Sequence, residues 1–241
     1  MSIGDAEIKT QERVIRFFKD PEILGYQYIG NLSDYQNKNI KEDRLRQYLR
    51  LKGYADKLID AAIMQLQQEA GNLSRGVYDA NKTVYSRLKY GIPVSESPEK
   101  PPVTVQLVDE EKPLNNDFAI AEEVTVVEQS EKRPDLVVYL NGIAVAVIEL
   151  KRSSISVSEG IRQNLTNQKN SFIQSFFTTM QFCMAGNESE GLRYGTLLTG
   201  EKFYMEWKDD GFKEHEEERD PVDVRISKTC EGIENKLLKQ I

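Results

Sequence analysis

The chain has 241 residues, 39% of them hydrophobic, and a formal net charge of −7, which fits one large domain with its own core. The negative charge argues against a protein that holds nucleic acid on a broad basic surface. One histidine, His215, and two cysteines, Cys183 and Cys230, are too few for a four-ligand zinc site. Because His215 lies in the acidic run KEHEEERD, histidine-based catalysis is not expected either.

The sequence also argues against a membrane protein. It contains no apolar stretch long enough for a membrane-spanning helix, and its N-terminus, MSIGDAEIKTQERV, lacks the pattern of a signal peptide. No GxxxxGK[ST] motif is present, so a nucleotide site is not expected in this chain. We therefore predict a cytoplasmic protein without a membrane partner.

The first half of the chain predicts helices. Thr10–Lys19 carries an apolar stripe at helical spacing. Asn39 and, three residues later, Glu42 predict a capping box for a second helix that ends near Gly53. Two further helices, each followed by a glycine that ends it, are predicted at Asp56–Ala70 and Val77–Tyr90.

The second half predicts a sheet, and the Ser/Pro-rich run SESPEKPP at residues 95–102 separates the two halves. Strands are predicted at Val103–Val108, Phe118–Val127, Leu136–Leu140, Ile143–Lys151, Tyr194–Leu198 and Phe203–Trp207. The apolar run Phe177–Ala185 is interpreted mostly as a strand with a helical lead-in. We therefore divide the chain into a helical part (1–94), a core (95–220) and a final helix (221–241).

Three charged residues lie at the ends of two apolar strands in the stretch PDLVVYLNGIAVAVIELK. Asp135 begins the first strand, and Glu149 and Lys151 end the second. A charge beside buried strands is costly unless it is paired or holds a metal ion. Glu149 and Lys151 are two residues apart, so they project from the same face of a strand.

The turn decides whether Asp135 joins them. A two-residue turn at Asn141-Gly142 would pair Asp135 with Ile148 and direct it away from Glu149. A three-residue loop with a bulge at this turn would instead place both carboxylates on one face. We predict the bulged loop, and we expect Val145 on the same face as Val147.

Two carboxylates and an ammonium on one face suit a hydrated Mg²⁺ ion that shares its ligands with a phosphate. The metal and the lysine together would stabilise charge that develops on phosphorus. A structural salt bridge at the end of a hairpin is the alternative, because such matches to a short motif are frequent.

The trio and its surroundings resemble a known nuclease family. The trio is similar to the PD-(D/E)xK motif, and longer stretches resemble the N-terminal nuclease region of the R (restriction) subunit of type I restriction-modification enzymes. The similar stretches, in chain order over nearly the whole sequence, are GYQYIGN, YDANKTVYSRLKYGIPV, NNDFAIAEEVTV, KRPDLVVYLNGIAVAVIELKRSS, VSEGIRQNLTNQKNSFIQSFFTTMQFCMAGN and EGLRYGTL.

The resemblance implies an α/β fold, with a mixed β-sheet flanked by helices and a helical N-terminal lobe. It implies ATP-dependent, non-specific cleavage of double-stranded DNA in a complex with methyltransferase (M) and specificity (S) subunits. Asp135 and Glu149 would bind Mg²⁺, with Mn²⁺ as a substitute, and Lys151 would aid attack on the phosphodiester. ATP would bind to motor domains that follow the final helix on a longer polypeptide.

Many nucleases of this group carry a Gln-x-x-x-Tyr pair on the helix after the motif. Here Ser156 or Ser158 caps that predicted helix, Gln163 matches the first position, and Asn167 replaces the tyrosine. Gln163 either orients the site or belongs to a solvated amide face, and Asn167 is expected on that solvated face.

The group often adds an acid from its first helix. The matching position in this chain is Gln11, with Glu7 and Glu12 nearby, and we assign none of the three to the site. Two other hypotheses remain for the whole domain. It is either a free-standing repair or recombination nuclease, or a non-catalytic docking module in which the trio is only an ion pair.

Overall fold

The computed structural model of the chain describes residues 3–206, apart from 96 and 98, with side chains from residue 8 onward. The predicted helix at 221–241, His215 and Cys230 lie outside these residues. Within the described part, no helix is both long and apolar enough to cross a membrane.

The helices are close to those predicted. α3 and α4 agree to within one residue with the prediction, and Gly91, at φ 73°, follows α4 in a conformation that favours glycine. The first helix begins earlier than its apolar stripe suggested. Within residues 3–206 the α-helices are α1 (Ile3–Lys19), α2 (Glu42–Leu51), α3 (Asp56–Gly71), α4 (Val77–Tyr90) and α5 (Val157–Asn167).

The strands form one mixed sheet and two small ribbons. They are β1 (Gln27–Asn31), β2 (Ile92–Val94), β3 (Val103–Val105), β4 (Phe118–Glu122), β5 (Val126–Val127), β6 (Glu131–Lys132), β7 (Leu136–Leu140), β8 (Ile143–Leu150), β9 (Phe182–Asn187), β10 (Gly191–Gly195) and β11 (Met205–Glu206). The seven-stranded sheet has the order β1-β4-β7-β8-β9-β10-β11. β1–β4 and β8–β9 are parallel pairs, and the other pairs are antiparallel.

Helices cover both faces of this sheet. On one face, buried side chains of α1 to α4, such as Phe18 and Leu45, share a core with Leu136 and Val138 of β7. On the other face, α5 packs on β8 and β9. Because β7 and β8 are buried on both faces, their residues are apolar apart from Glu149, which lies near the end of β8. The predicted fold class, an α/β domain with a mixed sheet flanked by helices and a helical N-terminal part, is confirmed.

The predicted capping box is wrong. Lys41 is the N-cap residue of α2, and no side chain caps that end. Asn39 instead donates through Nδ2 to the Ser175 carbonyl at 2.9 Å and to Thr178 Oγ1 at 3.0 Å. The chain is extended there because Ile40 forms a β-bridge with Ile143. Asn39 therefore contacts residues far along the chain and does not cap α2.

The long strand predicted at Phe118–Val127 is divided in two. β4 ends at Glu122, Glu123 has a φ of 51°, and β5 leaves the main sheet to pair with β6. β1, β2 and β6 were not predicted, and β2 pairs with β3 across residues 95–102.

The last strands are shorter than predicted. A 3₁₀ segment at Gln174–Thr179 leads into β9, which confirms the helical lead-in and the strand. Tyr194–Leu198 overlaps the end of β10. In place of Phe203–Trp207 there is a 3₁₀ turn at Glu201–Phe203 followed by β11, while Trp207 lies outside the described residues.

Candidate active site

The β7–β8 hairpin has the two-residue turn that we did not predict. Leu140 pairs with Ile143, and Asn141 and Gly142 have φ angles of 52° and 83°, as a type I′ turn requires. Asn141 is suited to this backbone because asparagine tolerates the left-handed region better than most residues. The prediction of a three-residue loop at this turn is wrong.

A bulge inside β8 restores the register. Tyr139 pairs with Ala144, but Val138 pairs with Ala146, so Val145 is an extra residue in β8. Val145 and Ala146 both pack in the core shared with α1 to α4, which corrects the prediction that Val145 lies on the face of Val147.

The two predicted carboxylates therefore meet. Beyond the bulge Leu136 pairs with Ile148, and one step further Asp135 lies opposite Glu149. The Leu150 backbone N–H donates to Asp135 Oδ2 at 2.6 Å, which holds the Asp135 side chain against the end of β8. The bulge was expected at the turn and is found within the strand, but it places the two carboxylates on one face of the sheet, as predicted.

Glu149 is buried, and its hydrogen bonds are incomplete. The residue is 0% exposed, and Gln163 Nε2 donates to its Oε2 at 2.6 Å. Its other oxygen, Oε1, is buried and has no hydrogen-bond partner among the described residues. A buried carboxylate oxygen without a donor is costly, so it indicates a ligand that the protein alone does not supply.

Burial raises the pKa of Glu149 well above its ordinary value of 4.5, and the negative charge of Asp135 raises it further. The positive charge of Lys151 lowers this pKa in part, while contact with the Asp135 carboxyl and the charge of Glu123 add to the increase. A bound cation would lower this pKa again, because a nearby positive charge favours the charged form of the carboxyl.

Lys151 lies beside these carboxylates at the end of β8. Its backbone N–H donates to the Gly186 carbonyl at 2.9 Å, which extends the pairing with β9. The half-buried ammonium donates to the Leu150 carbonyl at 3.0 Å. The three residues of the predicted trio are thus brought to one edge of the sheet.

Helix α5 carries Gln163 to the site. Ser156 caps the helix by accepting a hydrogen bond from the Ser158 N–H at 3.3 Å, as predicted. Gly160 lets the helix approach the sheet, because a Cβ there would lie 2.9 Å from Ala185 Cβ and 3.5 Å from Glu149 Cβ. Of the two hypotheses for Gln163, the contact with Glu149 favours the one in which this residue orients the site.

Asn167 does not lie on a solvated face. It is 2% exposed, and the neighbouring Asn164, also buried, donates to the Met184 carbonyl of β9 at 2.8 Å. The expected solvated amide face is therefore wrong for Asn167. The error arose because the packed side of this helix includes two asparagines, Asn164 and Asn167, beside the apolar Val157 and Ile161.

Gln11 of α1 contacts Glu122 rather than a residue of the trio. Gln11 donates through Nε2 to Glu122 Oε2 at 2.9 Å, and Tyr28 donates to Glu122 Oε1 at 2.5 Å. Glu12 is exposed, and the side chain of Glu7 lies outside the described residues. Gln11 thus belongs to a separate polar cluster on the face of the sheet that α1 covers.

Sequence reasoning missed Glu123. Its backbone N–H donates to the Asp135 carbonyl at 2.8 Å, so it continues the β4–β7 ladder opposite Asp135. Glu123, Asp135 and Glu149 therefore lie in a row across the ends of three adjacent strands. The signal in the sequence was weak, because Glu123 lay inside an apparently continuous strand.

The residues present fit a divalent cation that keeps much of its water. Among residues 3–206, without 96 and 98, no three carboxylate, histidine or cysteine side chains are close enough to enclose a metal ion. Two carboxylates, one with an unpartnered oxygen, supply the hard oxygen ligands that Mg²⁺ prefers while it retains several waters. Asp135 and Glu149 would hold such an ion.

A mixed sheet flanked by helices, with this acidic and basic trio at one edge, defines a nuclease-like α/β fold. The family model for the type I restriction enzyme R protein N terminus matches residues 7–203 of the chain. The chain therefore belongs to this family, which associates it with a restriction system, with nuclease activity and with complexes that act on DNA. No curated protein matches the chain.

Proposed function

We propose that this chain is the metal-dependent endonuclease domain of a type I restriction enzyme R subunit and cleaves phosphodiester bonds of double-stranded DNA. The observation that carries the proposal is the buried Glu149, whose Oε1 lacks a partner among the described residues and which lies opposite Asp135. A structural salt bridge would not leave one of its oxygens buried and unsatisfied.

Each residue has a separate role in this proposal. Asp135 and Glu149 hold Mg²⁺, or Mn²⁺ as a substitute, and the bound ion would polarise a phosphoryl oxygen and activate water. Lys151 stabilises the negative charge that develops at the scissile phosphate. Gln163 fixes the Glu149 carboxylate through its 2.6 Å hydrogen bond, so that Oε1 stays directed to the ion.

The remaining features of the proposal concern the whole enzyme. The net charge of −7 suits a domain that receives DNA from neighbouring parts of a complex, rather than one that captures DNA alone. We therefore propose that M and S subunits and ATP-driven motor domains deliver the DNA. Such an enzyme would act in the cytoplasm, as the sequence predicts.

Calorimetry with Mn²⁺ tests the metal site. Asp135→Ala and Glu149→Ala should each abolish Mn²⁺ binding while the protein stays folded by circular dichroism. Asp60→Asn is the matched control, because Asp60 is an exposed carboxylate paired with Arg46 on the helical part. Unchanged Mn²⁺ affinity in both site variants would contradict the proposal and favour a docking module.

Cleavage by an assembled restriction complex tests the role of Lys151. Lys151→Ala should abolish strand cleavage but leave ATP hydrolysis intact, because the lysine acts only at the scissile phosphate. A complex that carries this substitution and still cuts at the normal rate would refute the assignment. A full-length gene product without motor domains would instead indicate a free-standing nuclease.

A further inference from the structure

Within the carboxylate row, Glu123 forms an ion pair with an arginine. Arg133 Nε lies 2.6 Å from Glu123 Oε2, and the side chains of Arg133 and Glu123 are 56% and 23% exposed. Arg133 comes directly before the Pro134-Asp135 pair that begins β7. The pair therefore lies next to Asp135 and is partly exposed to solvent.

This ion pair is easily exchanged. Exposed ion pairs contribute about 0–1 kcal/mol, because water screens both charges and the side chains lose entropy. Each member would find a stronger partner in a loaded site. A carboxylate is a preferred ligand of hard divalent cations, and a guanidinium binds a phosphate through two parallel hydrogen bonds.

At the other end of the row, Glu149 has a carboxylate oxygen that a bound cation would satisfy. Glu149 Oε1 is buried without a partner in the described part of the chain, and Glu123 lies in the same row, opposite Asp135 on the neighbouring strand. As the described residues are arranged, the three carboxylates are not close enough together to enclose a common ion. A change of partner by Glu123 would bring a third carboxylate to the same cation.

We propose that Glu123 and Arg133 exchange partners when the site is loaded: Glu123 joins Asp135 and Glu149 around the divalent cation, and Arg133 binds a DNA phosphate. This inference rests on the proposed metal site. The exchange leaves the total charge of the pair unchanged, since one ion pair is replaced by two others. It also links cation binding to DNA binding, because each ligand releases the residue that the other uses.

Mn²⁺ titration without DNA tests the first half of the exchange. Arg133→Ala frees Glu123 and should increase Mn²⁺ affinity about two- to five-fold, whereas Glu123→Gln should decrease it by a similar factor, on the scale of one weak ion pair. The double variant should resemble Glu123→Gln alone, because Arg133 acts through Glu123. Lys132→Ala is the matched control: it removes the neighbouring positive charge, which lies over the Phe172 ring, and should change affinity less than two-fold.

DNA binding tests the second half. In fluorescence anisotropy with a short duplex, Ca²⁺ and low salt, Arg133→Ala should weaken binding several-fold, and equally in the Glu123→Gln background. If Arg133→Ala increases Mn²⁺ affinity as strongly in the Glu123→Gln background as in wild type, or leaves DNA binding unchanged, the proposed exchange is wrong.

Failure of the metal site itself is recognised separately. If Asp135→Asn and Glu149→Gln also leave Mn²⁺ binding unchanged, the proposed metal site is wrong. Thermal unfolding of every variant verifies that each is folded.

Discussion

The two ends of the β7–β8 hairpin bury polar side chains in opposite ways. At the turn, Asn141 is 0% exposed, donates to the Leu107 carbonyl and Asn116 Oδ1 at 2.8 Å each, and accepts from the Asp117 N–H at 2.7 Å. At the other end, Glu149 is equally buried, receives one hydrogen bond from Gln163, and keeps one oxygen unpaired among the described residues.

The comparison separates a structural polar group from a functional one. Asn141 is satisfied by the protein itself, so its burial stabilises the turn. Glu149 is satisfied only in part, so its burial lowers the stability of the protein without a ligand and creates affinity for a cation. Substitutions at the two ends should therefore change stability in opposite directions.

The largest effect is expected at the turn. Asn141→Ala removes three hydrogen bonds, each worth about 1 kcal/mol, and leaves their partners buried, so the free energy of unfolding should fall by about 3 kcal/mol. Urea denaturation measures this difference. Asn141→Gly keeps the positive φ but also lacks the amide, so a wild-type stability for Asn141→Gly would mean that the hydrogen bonds contribute little.

At the other end, Glu149→Gln should stabilise the protein in the absence of metal. The pKa of Glu149 is raised in the folded state, so its stabilising contribution is complete below pH 4.5 and is lost as the pH rises toward the folded-state pKa. At pH 8 the variant should therefore be more stable than wild type, because the folded protein disfavours the charged form of Glu149.

Urea denaturation at several pH values from 4.5 to 8 measures this effect. The stability of Glu149→Gln relative to wild type should grow as the pH rises, whereas Asp60→Asn should follow the wild-type curve. Saturating Mn²⁺ should reverse the order, because it stabilises only a protein that binds it. If the free energies of unfolding of wild type and Glu149→Gln instead changed in parallel with pH, ionisation of the buried carboxyl would not lower the stability.

A smaller effect is expected from the amide that contacts Glu149. Gln163→Leu removes one hydrogen bond and should lower the free energy of unfolding by about 1 kcal/mol. A double-mutant cycle with Glu149→Gln isolates the contact, because the coupling free energy should be nonzero only if the two side chains interact. A coupling of zero would mean that Gln163 does not hold Glu149.

The elements that local sequence determines were predictable. α3 and α4 follow from apolar spacing and terminal glycines, and β7 and β8 follow from continuous runs of β-branched residues. The same runs drew attention to Asp135, Glu149 and Lys151, because charges are rare at the ends of such strands.

The rest depends on contacts between distant parts of the chain. The position of the bulge at Val145 depends on how β8 packs against several neighbouring elements. The sequence of the β7–β8 pair alone therefore does not reveal it. Asn39 and Gln11 have partners more than 100 residues away, so their local patterns predicted the wrong roles. Glu123 became visible only when the pairing of β4 with β7 was known.

The bulge at Val145 also makes the two arms of the hairpin unequal in their tolerance of length changes. The arm from Leu140 to Asp135 is one residue shorter than the arm from Ile143 to Glu149, and the bulge absorbs the difference. A one-residue deletion in β8 can be absorbed by loss of the bulge, and the carboxylates stay opposite each other. β7 has no bulge that it can lose, so a one-residue deletion there turns Asp135 to the other face of the sheet. Along this hairpin, natural variation in length is therefore expected in the arm that carries Glu149 and excluded from the arm that carries Asp135.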